Sequence, residues 1–138
     1  MWKSSLIVTY KMTDELLFKE ECYRIIGVCM KIHSILGPGF KEIIYKDALE
    51  IELQREKISY SREKSFRVLY EGVILPRRFA VDFIVFDCIV LEIKAASFIH
   101  SENFRQTLNY LKASEIKLAI LINFGAPRLE FQRIVCTK

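Results

Sequence analysis

The sequence predicts a mixed α/β or α+β domain in which helices flank a central mixed β-sheet. The chain has 138 residues, the size of one ordinary domain. Hydrophobic residues make up 51% of it, which is enough apolar surface to offset the entropy lost on folding. Apolar residues recur at helical spacing before Ser59 and in short strand-like runs after it, with one more helical segment between the later runs.

The first predicted helix follows an N-terminal extension, residues 1–12, and opens the single domain predicted over 13–138. Thr13 is a suitable N-cap, because its side-chain oxygen can accept a backbone N–H of the first turn. Apolar residues then recur at helical spacing as far as Leu36, and Gly37-Pro38-Gly39 ends the pattern. We therefore expect a helix over about 14–36.

A second helix is expected from Phe40 to about Lys57. Its apolar face is predicted to contain Ile44, Ala48 and Ile51, which recur at helical spacing, with Tyr45 as a further candidate. Glu42 lies at the edge of this face, in the first turn, where the helix dipole favours a carboxylate. The prediction is a core-facing helix with an acidic residue near its start.

Four strands are predicted in the middle of the chain, over about 66–70, 73–75, 79–86 and 89–94. Glu71-Gly72 separates the first two and is expected to form a two-residue hairpin turn, since Gly adopts a positive φ without strain. Asp87-Cys88 is expected to form the turn between the last two. These short connections predict antiparallel pairing.

The last third of the chain predicts a β-α-β unit followed by one more strand. Ser101 is expected to cap a helix over about 102–113, which would connect strand 89–94 to the apolar run 117–124. So apolar a run is typical of a strand buried on both faces. Residues 129–135 alternate between apolar and polar side chains and predict a last strand, which would suit an edge of the sheet.

Charge and cysteine content argue against several kinds of protein. The net charge of +4 permits a nucleic-acid partner without requiring one. No C-x-x-C pair occurs among the 4 cysteines, and only 2 histidines could help them, so a zinc site is not expected. No apolar run is long enough for a signal peptide or a membrane span. We expect a soluble, cytoplasmic protein with reduced thiols and no membrane partner.

Three charged residues interrupt the most apolar strands. Asp82 lies in strand 79–86, and Glu92 and Lys94 lie two apart in strand 89–94, so that they share a face. Charges in such runs are costly to bury unless they are paired or bind a cation. If the strands form a hairpin, the two carboxylates and the ammonium meet near a strand end. An ordinary cross-strand ion pair also fits the spacing, which by itself favours this interpretation.

The other interpretation is a site for a hard divalent cation. Two carboxylates and a strand carbonyl suit Mg²⁺, which prefers oxygen ligands and keeps several waters. Such a cation would polarise a phosphoryl oxygen and help to generate hydroxide, while Lys94 would stabilise developing charge. The pattern therefore contains the groups needed for metal-assisted phosphodiester hydrolysis.

Several motifs, in the same order along the chain, resemble one protein family. Gly39-Phe40-Lys41-Glu42-Ile43-Ile44-Tyr45 matches the G-x-x-E-x-x-Y signature of small bacterial and archaeal proteins placed in the PD-(D/E)XK nuclease superfamily. The resemblance runs from about Ile26 to Val135. It includes Leu91-Glu92-Ile93-Lys94-Ala95, Gln106-Thr107-Leu108-Asn109-Tyr110-Leu111-Lys112, Leu121-Ile122-Asn123-Phe124-Gly125 and Pro127-Arg128-Leu129.

This resemblance implies a restriction-endonuclease-like fold and a Mg²⁺-dependent nuclease in which Mn²⁺ can substitute. By position, Asp82, Glu92 and Glu42 would hold the metal, and Lys94 and Gln106 would complete the catalytic site. The implied partner is nucleic acid, with DNA favoured over RNA.

Two further residues have alternative structural roles, and a third departs from the family's pattern. Tyr45, one helical turn after Glu42, either holds that carboxylate or packs in the core. Asn123 lies inside a buried run, where a turn-closing role is favoured over a catalytic one. Ala80 stands where the family has an arginine, two residues before the aspartate, although Arg77 and Arg78 lie nearby.

Two other classes of function stay open. A domain of this fold can bind nucleic acid or a protein partner without hydrolysing anything, and a small chain has little surface for sequence recognition. A homodimer is also conceivable, in which strands 117–124 and 129–135 pair between subunits.

Overall fold

A computed structural model describes residues 17–137. The predicted extension over 1–12 and the predicted cap Thr13 lie outside this part of the chain. This part contains three helices and five strands. The strands form one mixed sheet in the order β1-β2-β3-β4-β5, which confirms the predicted fold class. The elements are α1 (Lys19–Leu36), α2 (Glu42–Arg55), β1 (Tyr60–Tyr70), β2 (Val73–Val85), β3 (Ile89–Lys94), α3 (Ser101–Ser114), β4 (Leu118–Asn123) and β5 (Glu130–Val135).

Helix α1 begins later than the predicted residue 14 and ends where predicted. Leu17 and Phe18 form a turn, and Phe18 has a left-handed backbone with φ 52°, so the helix begins at Lys19. At the other end Gly37 has φ 69°, and its N–H donates to the carbonyl of His33 at 2.8 Å. A residue without Cβ adopts this φ easily, which explains why the helix ends there.

The predicted apolar face of α2 is only partly correct. The candidate Tyr45 is fully buried together with Leu49 and Leu53, and Ala48 packs partly buried against the core, whereas Ile44 and Ile51 are 40% and 50% exposed. The error arises because apolar residues lie all round this helix, so spacing cannot select one face. Glu52 is buried beside them and is neutralised by Lys31 at 3.1 Å and Arg55 at 3.3 Å.

Strands β1 and β2 form a long hairpin around the predicted turn. Tyr70 pairs with Val73, and Glu71 and Gly72 both have positive φ, at 51° and 81°. The prediction of two separate strands over 73–75 and 79–86 is wrong, because β2 is continuous through Pro76. The pairing register shifts between Arg67 and Leu69, so Pro76 lies in a bulge of β2, where a residue without an N–H is tolerated.

The β-α-β unit and the strand that follows it agree with the prediction. Strand β3 runs antiparallel to β2 and parallel to β4, every residue of β4 is buried, and β5 forms an edge of the sheet. Helix α3 begins at Ser101 itself, because His100 is the N-cap, in a reciprocal capping box with Asn103. Phe86 belongs to the β2–β3 turn rather than to the strand. Since β4 lies between β3 and β5, it cannot pair with a second subunit.

The sheet separates two hydrophobic cores. On one face, called the α1–α2 face, helices α1 and α2 cover Phe83, Leu91, Ile93 and their neighbours. On the other, called the α3 face, helix α3 covers Ile84, Val90, Leu121 and Ile134. Burial on both faces explains why β3 and β4 are almost continuously apolar.

Two further predictions concern thiols and membranes. All four cysteines are free, and Cys22, Cys29 and Cys136 are buried. Burial raises the pKa of Cys22 to about 11 and that of Cys29 to about 12. Among the helices of residues 17–137, none combines the length and the apolar character that a bilayer crossing needs.

Candidate active site

The candidate site lies where β2 and β3 separate. Their backbone pairing ends at Phe83 and Leu91, and the next two residues across the hairpin are Asp82 and Glu92. The N–H of Asp82 donates to Glu92 Oε2 at 2.9 Å, and the N–H of Ile93 donates to Asp82 Oδ2 at 2.7 Å. The two carboxylates thus accept backbone N–H groups beyond the end of the β-ladder, and this brings them together.

An irregularity in β2 allows Asp82 to make these contacts. Along a regular strand alternate residues face one side. Val81 packs in the α3-face core, but Phe83, two residues later, packs in the α1–α2-face core, so the alternation fails at Asp82. Opposite it on β1, Glu63 has φ 58° between residues paired in regular register. This local distortion of β1 and β2 interrupts the regular alternation of side chains at Asp82 and Glu63.

Lys46 of α2 contacts Asp82 and Glu63 from the helices that cover the α1–α2 face. Its Nζ lies 2.8 Å from Asp82 Oδ1 and 3.2 Å from Glu63 Oε2. The side chains of Lys46 and Asp82 are only 13% and 14% exposed, so water screens their attraction weakly. Burial lowers the pKa of Lys46, but its hydrogen bonds to Asp82 and Glu63 outweigh this effect, so that the pKa is raised overall. Lys46 is therefore a firmly charged partner of the aspartate.

Glu92 is the most buried charged group of the site, with 4% of its surface exposed. Burial and then the charge of Asp82 raise its pKa to about 8, against the opposing effects of the Asp82 N–H, Lys94 and Lys46. The nearby cations therefore do not compensate fully for the loss of water. An ionised Glu92 would gain from one more positive charge close to its oxygens.

Lys94 follows Glu92 by two residues on β3, so the strand's alternation directs both side chains to the α3 face. It is half-buried and lowers the pKa of Glu92. On α3, burial followed by the charges of Glu92 and Asp82 raises the pKa of Tyr110. Helix α3 therefore covers the side of the sheet on which the predicted catalytic lysine lies.

Glu42 and Gln106 are less closely tied to the two carboxylates. Glu42 opens α2 one turn before Lys46, on the same side of the helix, and is half-buried. Gln106 is exposed on α3. Neither side chain makes a hydrogen bond or ion pair within residues 17–137. The same residues contain no group of three or more His, Cys, Asp or Glu side chains that could hold a metal ion.

The donor chemistry of Asp82 and Glu92 nevertheless fits a hard divalent cation. Mg²⁺ is usually held by one or two carboxylates and keeps several waters, so three protein ligands are not required. The burial of Glu92 supports this fit, because the residue is 4% exposed and its carboxylate lies beside Asp82, where a cation would offset the loss of water that raises its pKa. Lys46 currently neutralises Asp82, and a cation would have to share that aspartate with it.

Tyr45 and Asn123 have structural roles. The Tyr45 hydroxyl donates to the carbonyl of Gly37 at 2.5 Å and accepts the N–H of Phe40 at 3.2 Å, and its ring stacks on Phe124 at 4.6 Å. It packs and fixes the loop before α2 rather than holding Glu42. Asn123 bonds to both the N–H and the carbonyl of Ala96 at 2.9 Å, which closes the turn after β3 as predicted.

The sequence-based reasoning missed Lys46 and Glu63. A signal for Lys46 was present, because it lies four residues after Glu42 and so on the same side of α2. Glu63 had no such signal, since only the pairing of β1 with β2 brings it opposite Asp82.

Comparisons with known proteins support the fold. A family model described as the PD-(D/E)XK nuclease superfamily matches residues 19–134. The crystal structure of SSO0001 superposes with a TM-score of 0.55 at 20% sequence identity, over 87% of this chain. The match spans 60% of the SSO0001 chain, so the likeness concerns the shared fold alone. A search of curated proteins gave no significant match.

Proposed function

The chain belongs to the PD-(D/E)XK nuclease superfamily, and we propose from this that it is a metal-dependent nuclease which hydrolyses phosphodiester bonds of nucleic acid. Within the superfamily we propose that it is one of the GxxExxY proteins, which the segment from Gly39 to Tyr45 supports. One observation carries the proposal. The carboxylates of Asp82 and Glu92 meet at the end of the β2–β3 ladder, with Lys94 on the same strand as Glu92.

Asp82 and Glu92 are the residues that would hold Mg²⁺ or Mn²⁺. When bound, such an ion polarises a phosphoryl oxygen and lowers the pKa of a coordinated water. Lys94 shares the α3 face of β3 with Glu92, and its ammonium would stabilise the negative charge that develops on the phosphate. The apolar surroundings of β3 strengthen this attraction, because they exclude water from the strand.

Glu42 and Gln106 would complete the site from the two helices. Glu42 lies one turn from Lys46, which already contacts Asp82, so a rotation of the glutamate side chain could add a further oxygen ligand. Gln106 lies on α3, on the side of the sheet that Lys94 faces, and would orient the lysine or the attacking water. Lys46 would position Asp82 through its ion pair.

Cleavage assays with matched variants test this proposal. Purified protein is incubated with plasmid DNA, linear duplex, single-stranded DNA and RNA, with Mg²⁺, Mn²⁺ or EDTA. We expect metal-dependent cleavage that Asp82→Asn and Lys94→Met abolish. Lys117→Met serves as the control, because it removes a lysine just before β4, at the opposite end of the sheet. Equal activity in all four proteins would show that this site does not perform the chemistry.

A second candidate function is a nucleic-acid-binding module without hydrolysis. It is favoured by the observation that both carboxylates already accept backbone N–H groups and that Lys46 neutralises Asp82. Calorimetric titration with Mn²⁺ separates the two candidates. Binding of Mn²⁺ that Asp82→Asn removes supports the nuclease, whereas nucleic-acid binding with no metal-dependent heat and no cleavage supports the module.

A further inference from the structure

The β1–β2 hairpin extends well beyond the rest of the sheet. Strands β1 and β2 have 11 and 13 residues, whereas β3 has 6 and pairs only with the last part of β2. The rings of Phe66 and Phe79 stack at 5.4 Å, and Phe79 stacks on Tyr110 of α3 at 4.7 Å. This aromatic row marks where the hairpin leaves the domain. Residues 67–78 lie beyond it and are called the hairpin arm.

The hairpin arm is exposed on both of its faces. All residues from Leu69 to Arg78 are exposed, including Tyr70 and Val73 at 63% each and Ile74 at 52%. A two-stranded ribbon that nothing covers is marginally stable in water by itself. Large apolar side chains at the end of such a ribbon therefore indicate a surface that a partner covers.

The charges of the hairpin arm select the partner. The arm contains three arginines and one glutamate, a net charge of +2 against +4 for the whole chain. Arg67 and Arg78 stand directly opposite each other across the strands, where like charges destabilise a sheet. The guanidinium of Arg78 donates to Ser65 Oγ at 2.8 Å, and none of the three arginines has a salt bridge within residues 17–137.

We propose that the hairpin arm is a duplex-DNA-binding ribbon, in which Arg67 and Arg78 contact backbone phosphates and the apolar end lies in the major groove. Phosphates between the two guanidinium groups relieve their repulsion. The major groove of B-form DNA, about 12 Å wide, admits a two-stranded ribbon, whereas the deep and narrow groove of A-form RNA does not.

A second copy of the chain is the competing occupant of this surface. In a twofold dimer the same patch meets itself, so one interface would gather the arginines of both arms. This adds to the repulsion already present within each arm. A polyanion removes it, which is why the arrangement of charge favours DNA over self-association.

This inference rests on the proposed function, because it supplies the nuclease with a grip on its substrate. Arg78 precedes Asp82 by four residues, a path of about 13 Å along an extended strand. One duplex could therefore contact the arm and present a phosphodiester to the site. Binding measured in EDTA keeps the two proposals apart, since it needs no catalysis.

The test is fluorescence anisotropy of a labelled DNA duplex in EDTA, over a range of salt concentrations. We expect the double variant R67Q/R78Q to bind about ten-fold more weakly or worse, and to lower the log–log salt dependence by about two. The matched control K57Q/K117Q removes two lysines at the opposite end of the sheet and should bind as wild type does. Equal affinity of R67Q/R78Q and control would overturn the proposal.

The variant Arg67→Glu distinguishes a role of Arg67 in DNA binding from a purely structural role. The glutamate faces Arg78 and forms a cross-strand ion pair, so the melting temperature should stay level or rise while DNA affinity falls. A fall in both would overturn the proposal. The proposal would also be overturned if light scattering showed a dimer and if Ile74→Glu dissociated this dimer without lowering the affinity for DNA. Wild type that binds DNA but never cleaves it would refute only the nuclease.

Discussion

Replacing Glu92 by glutamine should make the metal-free protein more stable at neutral and alkaline pH while abolishing metal-dependent cleavage. Glu92 is 4% exposed, and its Oε2 accepts the N–H of Asp82 at 2.9 Å. Glutamine keeps the volume and an oxygen that can accept this hydrogen bond. It cannot ionise, so the unfavourable burial of charge beside Asp82 disappears together with a proposed metal ligand.

The magnitude follows from the pKa of Glu92, which burial and then the charge of Asp82 raise from 4.5 to about 8. Because the folded protein holds this proton more tightly than the unfolded chain, the stabilisation is complete below pH 4.5 and is lost as the pH rises through 8. The slope is about 1.4 kcal/mol per pH unit, or about 5 kcal/mol over the whole window. The Glu92→Gln protein should lack this loss.

Urea unfolding followed by circular dichroism measures the effect. Both proteins are unfolded in EDTA at a series of pH values across the window, and the difference in unfolding free energy is plotted against pH. Other titrating groups largely cancel in this difference. Glu102→Gln, an exposed change on α3, is the control and should give a difference that does not depend on pH.

Two outcomes would refute this reasoning. A difference that stays constant as the pH rises through 8 would mean that Glu92 does not hold a proton in the folded protein. A wild type that gains stability relative to Glu92→Gln with rising pH would mean that its ionised form is the stable one, as in an ordinary ion pair.

Three further predictions test other parts of the domain. Lys46→Met breaks the ion pair with Asp82 and should lower the free energy of unfolding by about 3 kcal/mol, and Mn²⁺ should raise the melting temperature of the variant more than that of wild type. An equal shift in both proteins would show that Lys46 and the cation do not share the aspartate. Asn123→Leu leaves the N–H and carbonyl of Ala96 without partners and should cost about 2–4 kcal/mol in urea unfolding, so an unchanged midpoint would contradict the turn-closing role. A thiol reagent at mildly alkaline pH should label the half-buried Cys88 first and reach Cys29, whose pKa burial raises to about 12, only after unfolding; rapid labelling of Cys29 in the native protein would contradict its burial.

Local signals accounted for the parts of the fold that the sequence predicted well. Glu71-Gly72 specifies its hairpin turn through backbone geometry alone, and the apolar run in β4 needs only to be buried on both faces. Pro76 misled the prediction because its tolerance within β2 depends on a bulge, which only the pairing with β1 creates. The face of α2 was likewise set by docking, since its apolar residues alone did not define one.

The candidate site could likewise be predicted from the sequence only in part. The tight turn after β2 sets the register of the hairpin, so the approach of Asp82 to Glu92 could be predicted from spacing. The separation of the strands at these two residues could not, because it arises from the failed alternation at Asp82 and the positive φ of Glu63. Lys46 depends further on how α2 docks against the sheet.

The two carboxylates have a structural and a proposed chemical role that depend on the same oxygens. The N–H groups of Asp82 and Ile93 donate to these two side chains, so both carboxylates serve as hydrogen-bond acceptors beyond the end of the β-ladder. Burial and then their mutual repulsion raise the pKa of Glu92 to about 8, so ionisation of the metal-free site is unfavourable. Glu92 would have to release its proton to hold a divalent cation, and the charge of the cation would offset the repulsion between the two carboxylates. Metal affinity should therefore rise with pH until it passes the pKa of Glu92, and cleavage should follow the same profile.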